Sequence, residues 1–99
     1  MDELRTVYMI GNHDSPETFL QAEKKLISRG YKPLNPVKIV WEYEKRFGSL
    51  SQEERRTKLL GHLLRSDGVM LMPGWTVSAE AATEQEVATF CGKRQVRIF

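Results

Sequence analysis

Two four-residue apolar runs, Val7-Tyr8-Met9-Ile10 and Val69-Met70-Leu71-Met72, constrain this chain more than any other feature of its sequence. Each run is continuously apolar, so each reads as a strand covered on both faces, with no wet side to call for polar alternation. Helical patterns lie between and after them. Strands buried on both sides and separated by helices call for a parallel sheet, because a helical crossover brings the next strand back in the same direction. Such crossovers are right-handed in nearly all known cases.

The first run ends at Gly11 and is followed by the loop Asn12-His13-Asp14. A helix then starts at Ser15-Pro16-Glu17, with Ser15 as the cap, Pro16 at the first helical position and Glu17 complementing the dipole. It runs through Phe19, Ala22, Leu26 and Ile27 and stops at Gly30. Residues 31–34 form a second strand, which Pro33 restricts to an edge or a short length. Asn35-Pro36 turns the chain out of the sheet. Residues 37–47 read two ways: Val40, Tyr43 and Phe47 share a helical face, yet the segment also suits an irregular flap. Ser51-Gln52-Glu53-Glu54 is a capping box, opening a helix with Leu59, Leu60, Leu63 and Leu64 as its apolar stripe. Asp67-Gly68 ends it, residues 69–72 form the third strand, and Pro73-Gly74-Trp75 breaks that strand. Ser78 starts the last helix, expected to reach about Cys91 and stop at Gly92, and residues 95–99 form a terminal strand. The expected class is α/β, a small Rossmann-like or flavodoxin-like three-layer sandwich with a four-stranded parallel sheet. Residues 1–99 form one domain, a length that leaves no room for a second core.

Charge and cysteine usage narrow the function classes. Net charge is only +2, and Lys and Arg are scattered, with short pairs such as Arg55-Arg56 and Lys93-Arg94 that read as solvated helix faces. No concentrated basic stripe points to nucleic acid. Cys91 is the only cysteine, which excludes an intrachain disulfide and a multi-cysteine zinc site. No HxxxH, HExxH or ligand-spaced carboxylate cluster suggests a metal, and no cofactor is expected. The N-terminal stretch has acids where a secretion signal carries positive charge, and no segment is long enough to cross a bilayer. A cytoplasmic protein without membrane contact is expected.

In a parallel sheet, ligands collect beyond the carboxyl ends of the strands where strand order reverses. That rule selects three loops: residues 11–14, Asn35 onward, and residues 73–78. Gly11 either admits a ligand to the backbone or simply permits a turn. One glycine does not make a dinucleotide fingerprint, and no phosphate-cradling GxxxxGK[ST] is present. His13, beside Asp14 at a helix N-terminus, either joins a polar site or sits exposed. Trp75 either stacks on a base or caps the core. Glu80 and Glu84, four residues apart, share a helix face that continues through Val87, Ala88 and Cys91 toward the sheet. A carboxylate heading an apolar stripe is partly desolvated, which raises its pKa. Equally, Glu80 complements the helix dipole and Glu84 borders solvent.

Taken together, several segments resemble the nucleoside 2-deoxyribosyltransferase-like proteins, in particular a small branch found in phage and prophage genomes. The segments are Val7-Tyr8-Met9-Ile10-Gly11, Asn35-Pro36, the Asp67-to-Trp75 stretch with its Asp, apolar strand and Pro73-Gly74-Trp75, and the Ser78-initiated helix containing Glu84. The resemblance spans nearly the whole chain. It implies a pocket for a nucleoside or nucleotide, with Glu84 as the nucleophile that attacks the anomeric carbon. By position it gives Gly11 and Ser78 binding roles; Tyr8, Asn12, His13, Asn35, Pro73, Gly74 and Trp75, in or beside the three loops, complete the candidate substrate-binding set, and Glu80, on the same helix face as Glu84, is a second catalytic candidate. The resemblance also implies a homodimer or larger homo-oligomer, since relatives complete their pockets with a neighbouring subunit.

Two departures stand out. Leu59 occupies the position where the family offers an assisting Asp, and Glu80 stands where the family has a glycine two residues after the serine. The resemblance implies cleavage or exchange of an N-glycosidic bond; Leu59 in place of the assisting Asp favours the alternative, a non-catalytic binder, a sensor or sequestering protein, of a nucleotide-derived metabolite. A small interaction module with a vestigial pocket is a third reading.

Overall fold

The computed structural model describes residues 5–98, and Phe99, expected in the last strand, lies outside them. The first strand, β1 (Thr6–Ile10), is the centre of the molecule: it pairs in parallel with β2 (Lys32–Leu34) on one edge and with β3 (Gly68–Leu71) on the other. A short β4 (Arg94–Gln95) pairs with β3, also in parallel, giving the order β2-β1-β3-β4. Among the described residues four α-helices accompany the sheet: α1 (Pro16–Ser28), α2 (Pro36–Phe47), α3 (Gln52–Arg65) and α4 (Ala79–Phe90). This is the α/β parallel-sheet architecture of Rossmann-like and flavodoxin-like sandwiches.

The period of two along β1 sorts the core into two layers. Val7 and Met9 point to one face and pack with Phe19, Ala22 and Leu26 of α1, together with Met70, Met72 and Ile98. Tyr8 and Ile10 point to the other, where Leu59 and Leu63 of α3 and Ala81 and Ala88 of α4 cover them, with Ile39 and Val40 of α2 partly buried alongside. Burying each of these leucines stabilises the fold by roughly 1.5–3 kcal/mol. Because every crossover returns the chain to a parallel strand, the apolar runs are enclosed and nearly featureless. Pro33 lies in the edge strand β2, where a missing N–H costs no ladder bond to a further strand.

Helix starts follow the capping chemistry with one exception. Ser51 and Glu54 form the complete capping box, Oγ of Ser51 accepting from the Glu54 N–H at 3.1 Å and the Glu54 carboxylate accepting from the Ser51 N–H at 2.9 Å. Residues 37–47 are helical, not a flap, because Asn35 Oδ1 accepts from the Val37 N–H at 3.1 Å and Pro36 suits the first turn. Ser15 stands at the cap of α1, but its hydroxyl makes no capping bond; with ψ at 68° it is outside the extended backbone range of a cap, and its carbonyl takes the Thr18 and Phe19 N–H groups instead. Gly30, at φ 86°, follows α1 in the left-handed conformation that glycine adopts without strain.

Several expectations need correction. The third strand begins at Gly68, one residue early, because Gly68 already pairs with Val7 and with Arg94. The fourth strand covers Arg94–Gln95, not 95–99; beyond it only the Val96 N–H continues to Val69, and Ile98 turns its side chain into the α1 layer. Ile27 and Leu64 are exposed, since each helix has one narrow buried stripe and these residues fall beside it. Cys91, expected against the sheet, is exposed past the end of α4. Lys93 is not a solvated helix residue: its Nζ donates to the Leu64 and Ser66 carbonyls at 2.7 and 2.6 Å, satisfying acceptors at the end of α3.

Two glycines give opposite predictions. A Cβ on Gly11 would stand 2.7 Å from Met72 Cβ and 3.1 Å from the Phe19 ring. Gly11→Ala should therefore lower stability by about 1–3 kcal/mol through overpacking. Gly61 sits inside α3, and a Cβ there meets nothing nearer than the flexible end of Arg65 at 3.4 Å. Gly61→Ala should raise stability by about 1 kcal/mol through helix propensity. Urea unfolding of both variants checks the signs; a stabilised Gly11→Ala would refute the packing argument.

Candidate functional site

The order β2-β1-β3-β4 reverses direction at β1, which places the topological switch point between the carboxyl ends of β1 and β3. Helices α3 and α4 flank a cavity of about 230 Å³ on that side of the sheet, lined by His13, Arg56, Leu59, Leu60, Ala79, Glu80, Thr83 and Glu84. A larger cavity of about 810 Å³ lies at the opposite, amino end of the strands and is lined by neither Glu80 nor Glu84.

Glu84 is the centre of the smaller cavity. The buried side of α4 is Ala81, Glu84 and Ala88, a three- and four-residue spacing that puts all three on one face. Two alanines flanking a glutamate bring the helix close to the sheet and leave the glutamate between them, reaching β1. There the Tyr8 hydroxyl donates to Glu84 Oε2 at 2.8 Å, and both residues are buried. Oε1 is buried with no hydrogen-bond partner among the described residues. Burial pushes the Glu84 carboxyl up to about 7; the Tyr8 hydrogen bond opposes this, and the Glu80 charge adds to it. Burial also raises the Tyr8 phenol well above its ordinary value, with the Glu84 charge next, so Tyr8 stays a protonated donor.

The cavity mouth carries mixed charge. Arg56 Nε donates to Glu80 Oε2 at 2.8 Å, a half-exposed ion pair worth no more than about 1 kcal/mol. His13 packs edge-on against the Phe19 ring, with centroids 5.7 Å apart. Burial lowers its pKa, with Glu80 opposing this and Arg55 adding to it, so the neutral imidazole is favoured at pH 7. Arg55, next to Arg56 in α3, has its Nε buried without a partner among the described residues. Of the pair read as a solvated face, Arg56 is exposed and Arg55 is partly buried.

Of the residues singled out from sequence, His13, Glu80 and Glu84 line the cavity, and Tyr8 touches it through Glu84. The others do not line it. Gly11 is small because Met72 and Phe19 fill the space of its missing side chain. Asn12 Oδ1 accepts from the Asp14 N–H at 3.0 Å, a local turn. Asn35 is buried as the α2 cap, and its Nδ2 donates to Glu23 at 3.2 Å. Pro73 and Gly74 are exposed, Trp75 packs against the α3–α4 core layer, and the Ser78 hydroxyl caps α4 by accepting from the Ala81 N–H at 3.1 Å. Arg56, Leu60, Ala79 and Thr83 were missed. The signal lay in spacing: Arg56 and Leu60 stand three before and one after Leu59, and Ala79 and Thr83 flank Glu80 on its own side of α4. Among the described residues no group of three or more His, Cys, Asp or Glu side chains is placed to hold a metal. No described helix is long and apolar enough to cross a membrane.

Glu84 makes stability depend on pH. Its carboxyl ionises near 4.5 when unfolded and near 7 when folded, so the unfolded state loses its proton first as pH rises. The fold is therefore progressively destabilised between pH 4.5 and 7 by this group, by on the order of 3 kcal/mol once pH exceeds 7. Glu84→Gln cannot ionise, so its stability relative to the unmodified chain should improve steadily across that window. Tyr8→Phe should move the Glu84 titration above 7, because the removed hydrogen bond favours the charged form. Urea unfolding against pH and carboxyl NMR titration measure both; parallel pH–stability curves for Glu84→Gln and the unmodified chain would contradict the burial argument.

Over residues 7–97 the chain matches a protein family described as a domain of unknown function, DUF4406. No curated protein and no solved structure matches it. The family match runs from β1 to beyond β4 and takes in every residue of the cavity around Glu84: the chain belongs to the DUF4406 family.

Proposed function

We propose that this chain binds the sugar of a nucleoside or nucleotide in the cavity at Glu84 and cleaves or exchanges its N-glycosidic bond. One observation carries the reading: a buried carboxylate lies on the wall of a small cavity, one oxygen held by Tyr8 and the other without a partner. The resemblance to nucleoside 2-deoxyribosyltransferase-like proteins supports it, because the glutamate matched to the family's nucleophile is that carboxylate. A volume of about 230 Å³ is below the roughly 300 Å³ of pockets for drug-sized ligands. It suits a sugar ring, with the base toward the mouth or against a second subunit, and the chain is proposed to work as a homo-oligomer.

In this mechanism Tyr8 holds Oε2 while Oε1 attacks the anomeric carbon. An ester bond forms, the bond to the base nitrogen breaks, and the base leaves with the electron pair. Water or another base then displaces the sugar and restores the carboxylate. Oε1 is shielded from solvent, so attack needs a small shift of the Glu84 side chain that turns Oε1 toward the cavity while Oε2 keeps the Tyr8 hydroxyl. A carboxyl titrating near 7 is a stronger nucleophile than an ordinary glutamate once ionised, at the expense of being half protonated at neutral pH.

The second reading, a binder that leaves its ligand intact, is favoured by the cavity wall. Leu59 lines it where the family has an assisting Asp, His13 is neutral, and Glu80 is tied to Arg56 as an ion pair. None of these is set to protonate a departing base.

A panel of nucleosides and their 5′-monophosphates, followed for base release and for melting shift, separates the two. Catalysis predicts base release whose rate climbs with pH through about 7 as Glu84 ionises, and a loss on the order of 10⁴-fold in Glu84→Gln. Binding alone predicts no base release but stabilisation of about 2.7 kcal/mol at a ligand concentration a hundred times Kd. A panel with neither release nor melting shift rejects both.

A further inference from the structure

Because all four strands are parallel, every segment that leads into a strand arrives at the same end of the sheet, away from Glu84. Arg5 leads into β1, Arg29 follows α1 just before β2, Arg94 lies in β4 and Arg97 just after it. All four line one cavity of about 810 Å³. The sequence shows these arginines as scattered; the topology gathers them.

We propose that this cavity is a second binding site, separate from the one at Glu84, for a small oligophosphate such as the phosphate chain of a nucleotide. Neither described ion pair, Lys38–Glu23 or Arg56–Glu80, involves any of the four arginines. Asp67, the carboxylate lining the cavity, accepts at Oδ2 from the Thr6 N–H at 2.9 Å and from the Thr6 hydroxyl at 3.2 Å; these bonds, and then the charges of Arg5 and Lys93, hold its carboxyl below its ordinary pKa, and its single charge leaves the four arginines in excess. Four like charges around one cavity repel each other, and an anion placed among them removes that cost. Guanidinium groups present paired N–H donors that match phosphate oxygens, which favours a phosphate over a diffuse anion. Tyr31 and Val96, both half-buried in the same lining, add an apolar surface beside the charges. The volume falls within the roughly 300–1,000 Å³ of small-molecule sites, whereas a single orthophosphate would leave most of it unfilled. The site does not depend on the reading of the Glu84 cavity.

The test is calorimetric titration of the full chain with tripolyphosphate at low salt, alongside orthophosphate, citrate and a short single-stranded DNA. Tripolyphosphate should bind one to one, at least about tenfold tighter than orthophosphate, and weaken as salt rises. Arg29→Gln/Arg97→Gln should weaken it about tenfold or more, as losing charged hydrogen bonds does. Both side chains are exposed, and circular dichroism confirms that the variant is folded; Arg94→Gln alone serves as the second variant. No heat or melting shift at millimolar tripolyphosphate overturns the proposal. So does unchanged affinity in both folded variants, or citrate binding as tightly as tripolyphosphate. Tighter binding of the DNA reassigns the surface to nucleic acid and equally overturns it. Asp2 and Glu3 precede Arg5 in the chain, so Asp2→Asn/Glu3→Gln is titrated as well. Binding that occurs only in that variant means that the chain's own acids occupy the arginines, and the proposal fails.

Discussion

Strand β1 is hydrogen-bonded along both edges and covered on both faces, so each of its side chains has one address and no freedom to leave it. Val7 and Met9 anchor α1, while Tyr8 and Ile10 anchor α3 and α4. The same alternation that builds the core also aims the Tyr8 hydroxyl at α4. A one-residue slip of register would exchange the two faces and send that hydroxyl into the α1 layer. The candidate site is therefore tied to the pairing of the sheet itself, with Ala81 and Ala88 setting how closely α4 approaches it.

That closeness has an electrostatic consequence. A glutamate between two alanines against a sheet loses most of its water, and a single tyrosine hydrogen bond replaces only part of what is lost. The remaining deficit shows as a carboxyl that holds its proton to about 7. A carboxyl at this position carries a penalty when charged that a leucine would not, and that cost is what the proposed role in ligand chemistry would account for. Around it the wall is divided: Leu59 and Leu60 keep the interior apolar, and the charged groups Arg56 and Glu80 neutralise each other at the mouth.

Much of the fold was legible because its signals are local. Apolar runs without alternation mark enclosed strands, Pro33 marks an edge, and Ser51 with Glu54 marks a helix start whatever else the chain does. The weaker readings failed where a local signal was outvoted. Ser15 has the right identity for a cap but the wrong backbone angle, and Cys91 follows the heptad-like spacing of α4 but lies past its last turn. The loop residues Asn35 and Ser78, singled out as ligand contacts, do not line the cavity, and their side-chain oxygens accept from the first turns of α2 and α4. A capping residue and a binding residue look alike in sequence, because both are small polar side chains at a helix start.

What the sequence determined by itself is the alternation of elements, the helix boundaries set by capping and the presence of a glutamate within an apolar face of the last helix. Those depend on interactions spanning a few residues. Only the tertiary structure decided that Tyr8, 76 residues before Glu84, would be its partner, that Arg56 would close the cavity and that four distant arginines would meet at the other end of the sheet. Each of those depends on strand order and on which side of the sheet a helix crosses, which are choices made by the packing of the whole chain and not by any segment of it.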